Sequence, residues 1–539
     1  MADGIGRASA LLASGTLVSR ILGFVKAAMV ANIIGVLIVG NAFAIANQLP
    51  NTIYVIIGGG VLSAVLVPQI VRASIHADRG NAYINKLVTI AIVFIGGITV
   101  IATLLSPAFV TLFAATLPPD QFALATAFAY WCMPQILFYG LYTVLGEVLN
   151  ARKMFGPFTW APVLNNVIAI AGLAVFLVMF GTETPAFKDW TPSMTAVLAG
   201  SATLGVVAQA LFLMLFWRRA GLRFRPDFQW RGVGLRATGK VASWTFGMLL
   251  LTTIGGIVET QIASSASSDD APSVAILQYA WLIFMLPHSI ITVSIATAFF
   301  TRMSEHAQGT HTGSPDLFSL RSDVSAAIRV VSLLIVLAAA VIMVVAVPFA
   351  SVFADGLEQA IPMGAIIIAF VIGLVPFCIL FIVQRAFYAL GDTKTPFFFT
   401  LFQTLLFVLL ALVVRLVLPD QFIAVGIASA ITVACIAQMA VAAWLLRNRL
   451  GGLDLHNVIP SLLRFAGAAI PAAALGLLVL QLLGGIAEGA FPTASIVGAI
   501  VTMCLVGAVM AIVYLLLLVA FRSPEVKPAL APILSRLGR

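Results

Sequence analysis

Runs of eighteen or more apolar residues recur along the whole length of this 539-residue chain. That pattern removes most folds. A run of about 20 apolar residues matches the ~30 Å hydrocarbon core of a bilayer, where backbone polar groups have to be satisfied without water. A helix does this within its own segment. A closed barrel would need alternating segments of about ten residues, and this chain has none. Charged residues are 9% of the total, against about 25% in soluble domains. The expected fold is an all-α polytopic membrane protein.

Fourteen transmembrane helices are expected, at 10–35, 38–72, 86–114, 120–150, 158–181, 193–217, 241–266, 272–302, 324–354, 359–390, 396–418, 421–446, 461–484 and 492–521. The first run imitates a signal peptide, because Arg7 precedes it. It also carries Arg20 and Lys26 and lacks a small-residue cleavage site, so it reads as a retained helix. Charge orients the array. Connections assigned to the cytoplasm hold cations such as Arg152, Arg218, Arg219, Arg223, Arg225, Lys394, Arg447 and Arg449. The opposite connections are short and acidic or neutral, with Lys188 the exception. This asymmetry predicts both termini in the cytoplasm, and it accounts for the net charge of +9 without a nucleic-acid partner.

The chain also repeats itself. Leu49-Pro50 recurs as Leu286-Pro287, 237 residues on. The end of span four, VLNARKMFGPFTW, matches the end of span ten, AFYALGDTKTPFFFT, with Ala151 against Ala389 and Pro157 against Pro396. The copies are six spans apart, so they share one orientation. Two parallel-repeat six-helix bundles are expected, at 1–220 and 241–450, with substrate between them. A cytoplasmic interfacial linker, 221–240, joins them, its cations interleaved with Phe224, Phe228 and Trp230. An extra helix pair and a short cytoplasmic tail occupy 451–539.

No catalytic constellation is present. GIGRAS near the start is too short and misplaced for a nucleotide fingerprint. Cys132, Cys378, Cys435 and Cys504 share no spacing, and five histidines are scattered, so no disulfide framework, metal or other cofactor is expected. The chain reads as a transporter rather than an enzyme. Its energy source is then the membrane potential, a sodium or proton gradient, or the gradient of the substrate itself.

Polar residues within spans therefore carry the function. A buried cation costs about 2.5–3.5 kcal/mol on insertion scales, and span one keeps two. Arg20 and Lys26 point about 120° apart with ~9 Å of rise between them, so they suit different heights of a wide anionic cavity. Asn41, Asn47, Gln48 and Asn51 of span two extend the substrate-binding set. Pro50, the Gly58-Gly59-Gly60 run and Pro287 are the expected hinges. Glu147 and Arg385 occupy equivalent places in the two halves, which suggests a gate ion pair; simple interfacial exposure is the other reading. Glu259 is the candidate protonatable or sodium-binding carboxylate.

Three stretches resemble the MurJ/MviN family of lipid II flippases, within the MATE-like multidrug/oligosaccharidyl-lipid/polysaccharide exporter superfamily. They are SRILGFVKAAMVANIIG (19–35), NQLPNTIYVIIGGGVLSAVLVP (47–68) and, most specific, RAFYALGDTKTPFF (385–398). The resemblance implies two six-helix bundles around a cationic cavity, with a groove from the last two spans for an undecaprenyl tail. It implies a substrate, the undecaprenyl-pyrophosphate-linked disaccharide-peptide lipid II, moved from inner to outer leaflet of the bacterial cytoplasmic membrane for peptidoglycan assembly. Membrane lipids and proteins of cell-wall synthesis or division are the further partners it implies. Arg20 and Lys26 fall on the two cations of the family's first span. Departures are Asn41 where many relatives are acidic, Tyr54 where many have arginine, Gly59-Gly60 where many have Glu-Gly, and Trp281, Leu282 and Met285 where many carry charge. The cavity is thus less charged, and the load shifts onto Arg20 and Lys26. The alternatives are a multidrug or polysaccharide-precursor exporter of the same superfamily, which two span-one cations disfavour, and a non-transporting membrane scaffold for cell-wall enzymes.

Overall fold

Among the described residues, thirteen helical segments are long and apolar enough to cross a membrane. The computed structural model describes residues 2–56, 81–152, 154–228, 239–266, 274–309 and 315–526. The second expected span, 38–72, enters this set only as far as residue 56, so it is not among the thirteen. Gly58, Gly59 and Gly60 lie outside the described residues.

The helices begin and end where local chemistry dictates. Residues 192–215 start at Pro192, with the Thr191 hydroxyl accepting from the Met194 amide at 3.3 Å. Residues 317–344 start after Asp316, whose Oδ1 accepts from the Ser319 amide at 3.0 Å. Each cap satisfies a donor that the helix cannot pair internally. Glycines in the left-handed conformation close two others, Gly309 at φ 64° and Gly451 at φ 68°.

The chain forms two compact units, Met1–Ala275 and Ile276–Arg539. In the first, α1 (Ala2–Ile34) turns sharply at Gly35 into α2 (Ile38–Tyr54). A side chain at Gly40 would meet the Gly35 carbonyl at 2.2 Å, so this corner requires glycine. There follow α3 (Asn81–Leu104), α4 (Ser106–Phe113), α5 (Pro119–Cys132), α6 (Gln135–Ala151), α7 (Phe155–Phe180), α8 (Pro192–Leu215) and α9 (Gly239–Ser265). The α7–α8 pair is the most closely packed, with α1 on α7, α2 on α5 and α6 on α8. Its backbones approach at Gly172, where a Cβ would sit 2.1 Å from that of Ser201. The repeat groups α9 with the second bundle; its contacts lie with α2 and α4, and it belongs to the first compact unit.

The second unit takes up the chain within α10 (Val274–Pro287), followed by a π-helical turn, His288–Thr292, and α11 (Val293–Gln308). Then come α12 (Leu317–Val344), α13 (Ala346–Ala350), α14 (Leu357–Val371), α15 (Leu374–Ala389), α16 (Lys394–Val417), α17 (Ile423–Leu450), α18 (Leu455–Leu482) and α19 (Ile496–Ala520). Helix α12 is central, against α11, α15 and α18. The extra pair, α18 and α19, buries Phe465, Met510, Tyr514 and Leu518 against Leu333 and Val344 of α12. The Tyr514 hydroxyl donates to the Leu333 carbonyl at 2.8 Å.

The repeat seen in the sequence reappears as helix breaks. Leu105 separates α3 from α4 and Val345 separates α12 from α13. Met133-Pro134 separates α5 from α6, and Ile372-Gly373 separates α14 from α15. The sequence had presented each broken pair as one continuous span. Pro50 and Pro287 each precede a π-type turn, at Val55–Ile56 and His288–Thr292. A proline lacks the amide that closes a helical turn and its ring crowds the preceding carbonyl, so wide turns gather near it.

Candidate functional site

In the first unit, α1 is held to α7 along one stripe. Gly15 packs on Thr159 and Trp160, and Gly23 faces Asn166. Between them, Asn166 Nδ2 donates to the Ser19 carbonyl at 2.9 Å and to its hydroxyl at 3.4 Å. This fixes the rotation of α1. Arg20, one residue past Ser19, is turned about 100° from the stripe and is exposed. Lys26, seven residues past Ser19, returns to the α7 side and is half-buried. Among the described residues neither cation has an ion pair, hydrogen bond or ring contact. No carboxylate of the described residues compensates them.

On α2, Asn47 and Asn51 are exposed and one turn apart, with half-buried Gln48 beside them. Leu49, turned away from Asn47, and Pro50 are buried. The structure separates Asn41 from this set. It is 1% exposed, and its Oδ1 accepts from the Ala275 amide at 2.9 Å in the first turn of α10. Its amide satisfies an orphan helix donor, which differs from the substrate-facing role expected for it.

Glu147 is half-buried on α6, one turn beyond Thr143. Thr143 is hydrogen-bonded to the Tyr54 hydroxyl. Tyr54 packs on Tyr139 with ring centroids 5.7 Å apart, and Tyr142 stacks on Phe158 at 4.9 Å. This tyrosine network escaped the sequence reading. Its signal was the spacing of Tyr139, Tyr142 and Glu147 on one helix.

Glu259 is half-buried on α9 and, among the described residues, has no ion pair or hydrogen bond. Its neighbour Gln261 anchors the helix. Nε2 donates to the Leu112 and Thr111 carbonyls at 2.6 and 3.0 Å, and Oε1 accepts from the Ala115 amide at 3.1 Å.

In the second unit, Arg385 lies over Phe381 at 4.9 Å and Phe300 at 5.3 Å. Phe381 also meets the edge of His288, 5.0 Å away, which opens the π turn after Pro287. Trp281 stacks on Phe284 at 4.8 Å and meets Phe370 at 5.5 Å. The acidic residue of this unit that sequence reasoning passed over is Asp323, which is 3% exposed. It accepts from Arg302 at 2.6 Å and lies 3.5 Å from His306. Its signal was an aspartate inside a 28-residue apolar helix.

A family model described as "Lipid II flippase MurJ" matches residues 30–502. The probable lipid II flippase MurJ of Rickettsia prowazekii is 26% identical over 437 residues, covering 79% of this chain and 81% of the relative. The protein so described in Synechocystis is 25% identical over 478 residues, 86% of each. Among solved structures, a lipid II flippase MurJ in an inward closed conformation aligns with TM-score 0.70 at 18% identity, covering 93% of this chain and 98% of the other. An inward-facing multidrug resistance transporter of the MATE family aligns with TM-score 0.61 at 17% identity, covering 81% and 95%. At these identities the structures establish a shared polytopic helical fold.

Proposed function

Because this chain belongs to the lipid II flippase MurJ family, we propose that it carries lipid II from the inner to the outer leaflet of the bacterial cytoplasmic membrane, with both termini cytoplasmic. The observation that carries this reading is the family match over residues 30–502, which runs through both compact units.

The transport step is alternating access. The pyrophosphate of the headgroup binds Arg20, which is exposed and has no protein partner among the described residues. A guanidinium there makes bidentate, charge-assisted bonds to phosphate oxygens. Lys26 contributes from the next height, and the exposed Asn47 and Asn51, with Gln48, hydrogen-bond the sugar–peptide portion. The turns after Pro50 and Pro287 absorb the motion, and Glu259 senses a proton or sodium ion. Transport follows only if substrate and ion bind the two states with different affinity.

The test is depletion of the protein in its host, followed by labelling of lipid II exposed on the outer leaflet. Labelling should fall on depletion and return with the wild-type chain. Undiminished labelling after depletion would overturn the reading in favour of a scaffold.

A further inference from the structure

The first unit holds a cavity of about 1140 Å³ that lies apart from Arg20 and Lys26. It is formed by α3, the end of α6, the end of α8 and the chain that follows α8. That chain, 222–228, has no regular secondary structure and is tied to α3. The Asp227 amide donates to the Thr89 hydroxyl at 3.0 Å, and Lys86 Nζ lies 3.9 Å from Asp227. The strap brings Arg223 and Arg225 to the cavity beside Arg218. All three are exposed, so they keep water access while lining one space.

Three guanidiniums around one space define a phosphate-class anion, whose oxygens accept charge-assisted, bidentate bonds from them.

The rest of the lining says which phosphate. Val88, Ile92 and Met214 continue the cavity along membrane-spanning helices, and Phe224 and Phe228 of the strap are 42% and 65% exposed. A soluble anion has no use for that apolar half, whereas a lipid places its phosphate among the cations and its glycerol and chains along the helices. We propose that this cavity binds the headgroup phosphate of an anionic membrane phospholipid, on the membrane face that carries the arginine-rich connections.

The experiment titrates the purified full-length chain, in neutral detergent, with phosphatidylglycerol or phosphatidylcholine, reading bound lipid by native mass spectrometry. Phosphatidylglycerol should bind roughly tenfold tighter. The preference should vanish in R218A/R223A/R225A, fall roughly threefold in R223A alone, and persist in R219A, whose guanidinium lies 5.6 Å over Phe216 outside the lining. If the triple variant does not remain monodisperse, R223A and R225A singly decide. Equal binding of the two lipids, or an unchanged preference in R223A and R225A, would overturn the proposal. Full displacement of phosphatidylglycerol by millimolar glycerol phosphate would replace it with a soluble-phosphate site.

Discussion

Asn166 Nδ2 donates to the Ser19 carbonyl at 2.9 Å and to its hydroxyl at 3.4 Å, which ties α1 to α7 one residue before Arg20. The stripe of Gly15, Ser19 and Gly23 lets α1 lie close on α7. The amide then locks the rotation. Interhelical bonds of this kind are worth about 0.6–2 kcal/mol in membranes, which is small against the whole fold but decisive for the aim of one side chain.

Asn166→Ala should therefore destabilise the purified protein only by about 1 kcal/mol while altering the environment of position 20. With Arg20→Cys in a background lacking the exposed Cys504, the rate of modification by a charged thiol reagent should change several-fold when Asn166 is also replaced. An identical rate would show that α1 does not depend on this bond.

Arg385 is a different kind of cation, because two rings already face it. Cation–π contacts are worth about 0.5–2 kcal/mol each, according to how far they are desolvated. Thermal unfolding in detergent should show Arg385→Ala less stable than Arg385→Lys, with Phe381→Leu removing most of the difference between them. Equal stability of Ala and Lys variants would mean the rings contribute nothing.

Glu259 stands on a membrane-spanning helix without a hydrogen-bond or ion-pair partner among the described residues, which suits a group that takes up and releases a cation. Glu259→Gln should blunt the response of transport to pH and to sodium. A variant that kept both responses in full would exclude this carboxylate from coupling.

The chain after α19 is tied back by Glu525. Ser461 and Ser523 donate to its carboxylate at 2.8 Å each, and Arg329 lies 3.1 Å away. Burial pushes this carboxyl up, but the bonds from Ser523, Ser461 and Arg329 outweigh it, leaving it below the usual glutamate range. A folded value below the unfolded one stabilises above the unfolded pKa of about 4.3 and is lost as pH falls through the folded value. Melting of the wild type and of Glu525→Gln should differ most above about pH 5 and converge in stronger acid. A gap that widened on acidification would reverse that sign.

Much of the architecture was legible because the bilayer imposes it. Length and apolarity mark the spans, and Leu49-Pro50 against Leu286-Pro287 marks the repeat. The breaks at Leu105 and Val345 had a signal that a count of apolar residues passes over: Pro107 and Pro348 follow them within three residues, and each lacks the amide that would carry the helix through. Asn41 illustrates the limit at the site. An amide in an apolar helix reads the same whether it faces a cavity or caps a neighbouring helix, and only the Ala275 amide at 2.9 Å distinguishes them. The cavity after α8 was hidden for a related reason. The arginines there read as a solvated interfacial stretch until the strap on Thr89 gathers three of them around one space.

Arg20 bears the central claim, that a cation of the first helix holds the pyrophosphate. The direct measurement is outer-leaflet labelling of lipid II in a depletion strain that expresses Arg20→Ala at wild-type membrane levels. Labelling should stay at the depleted level, at least tenfold below that restored by the wild type, as expected for loss of a charge-assisted anion contact. Labelling restored in full by Arg20→Ala would contradict the claim.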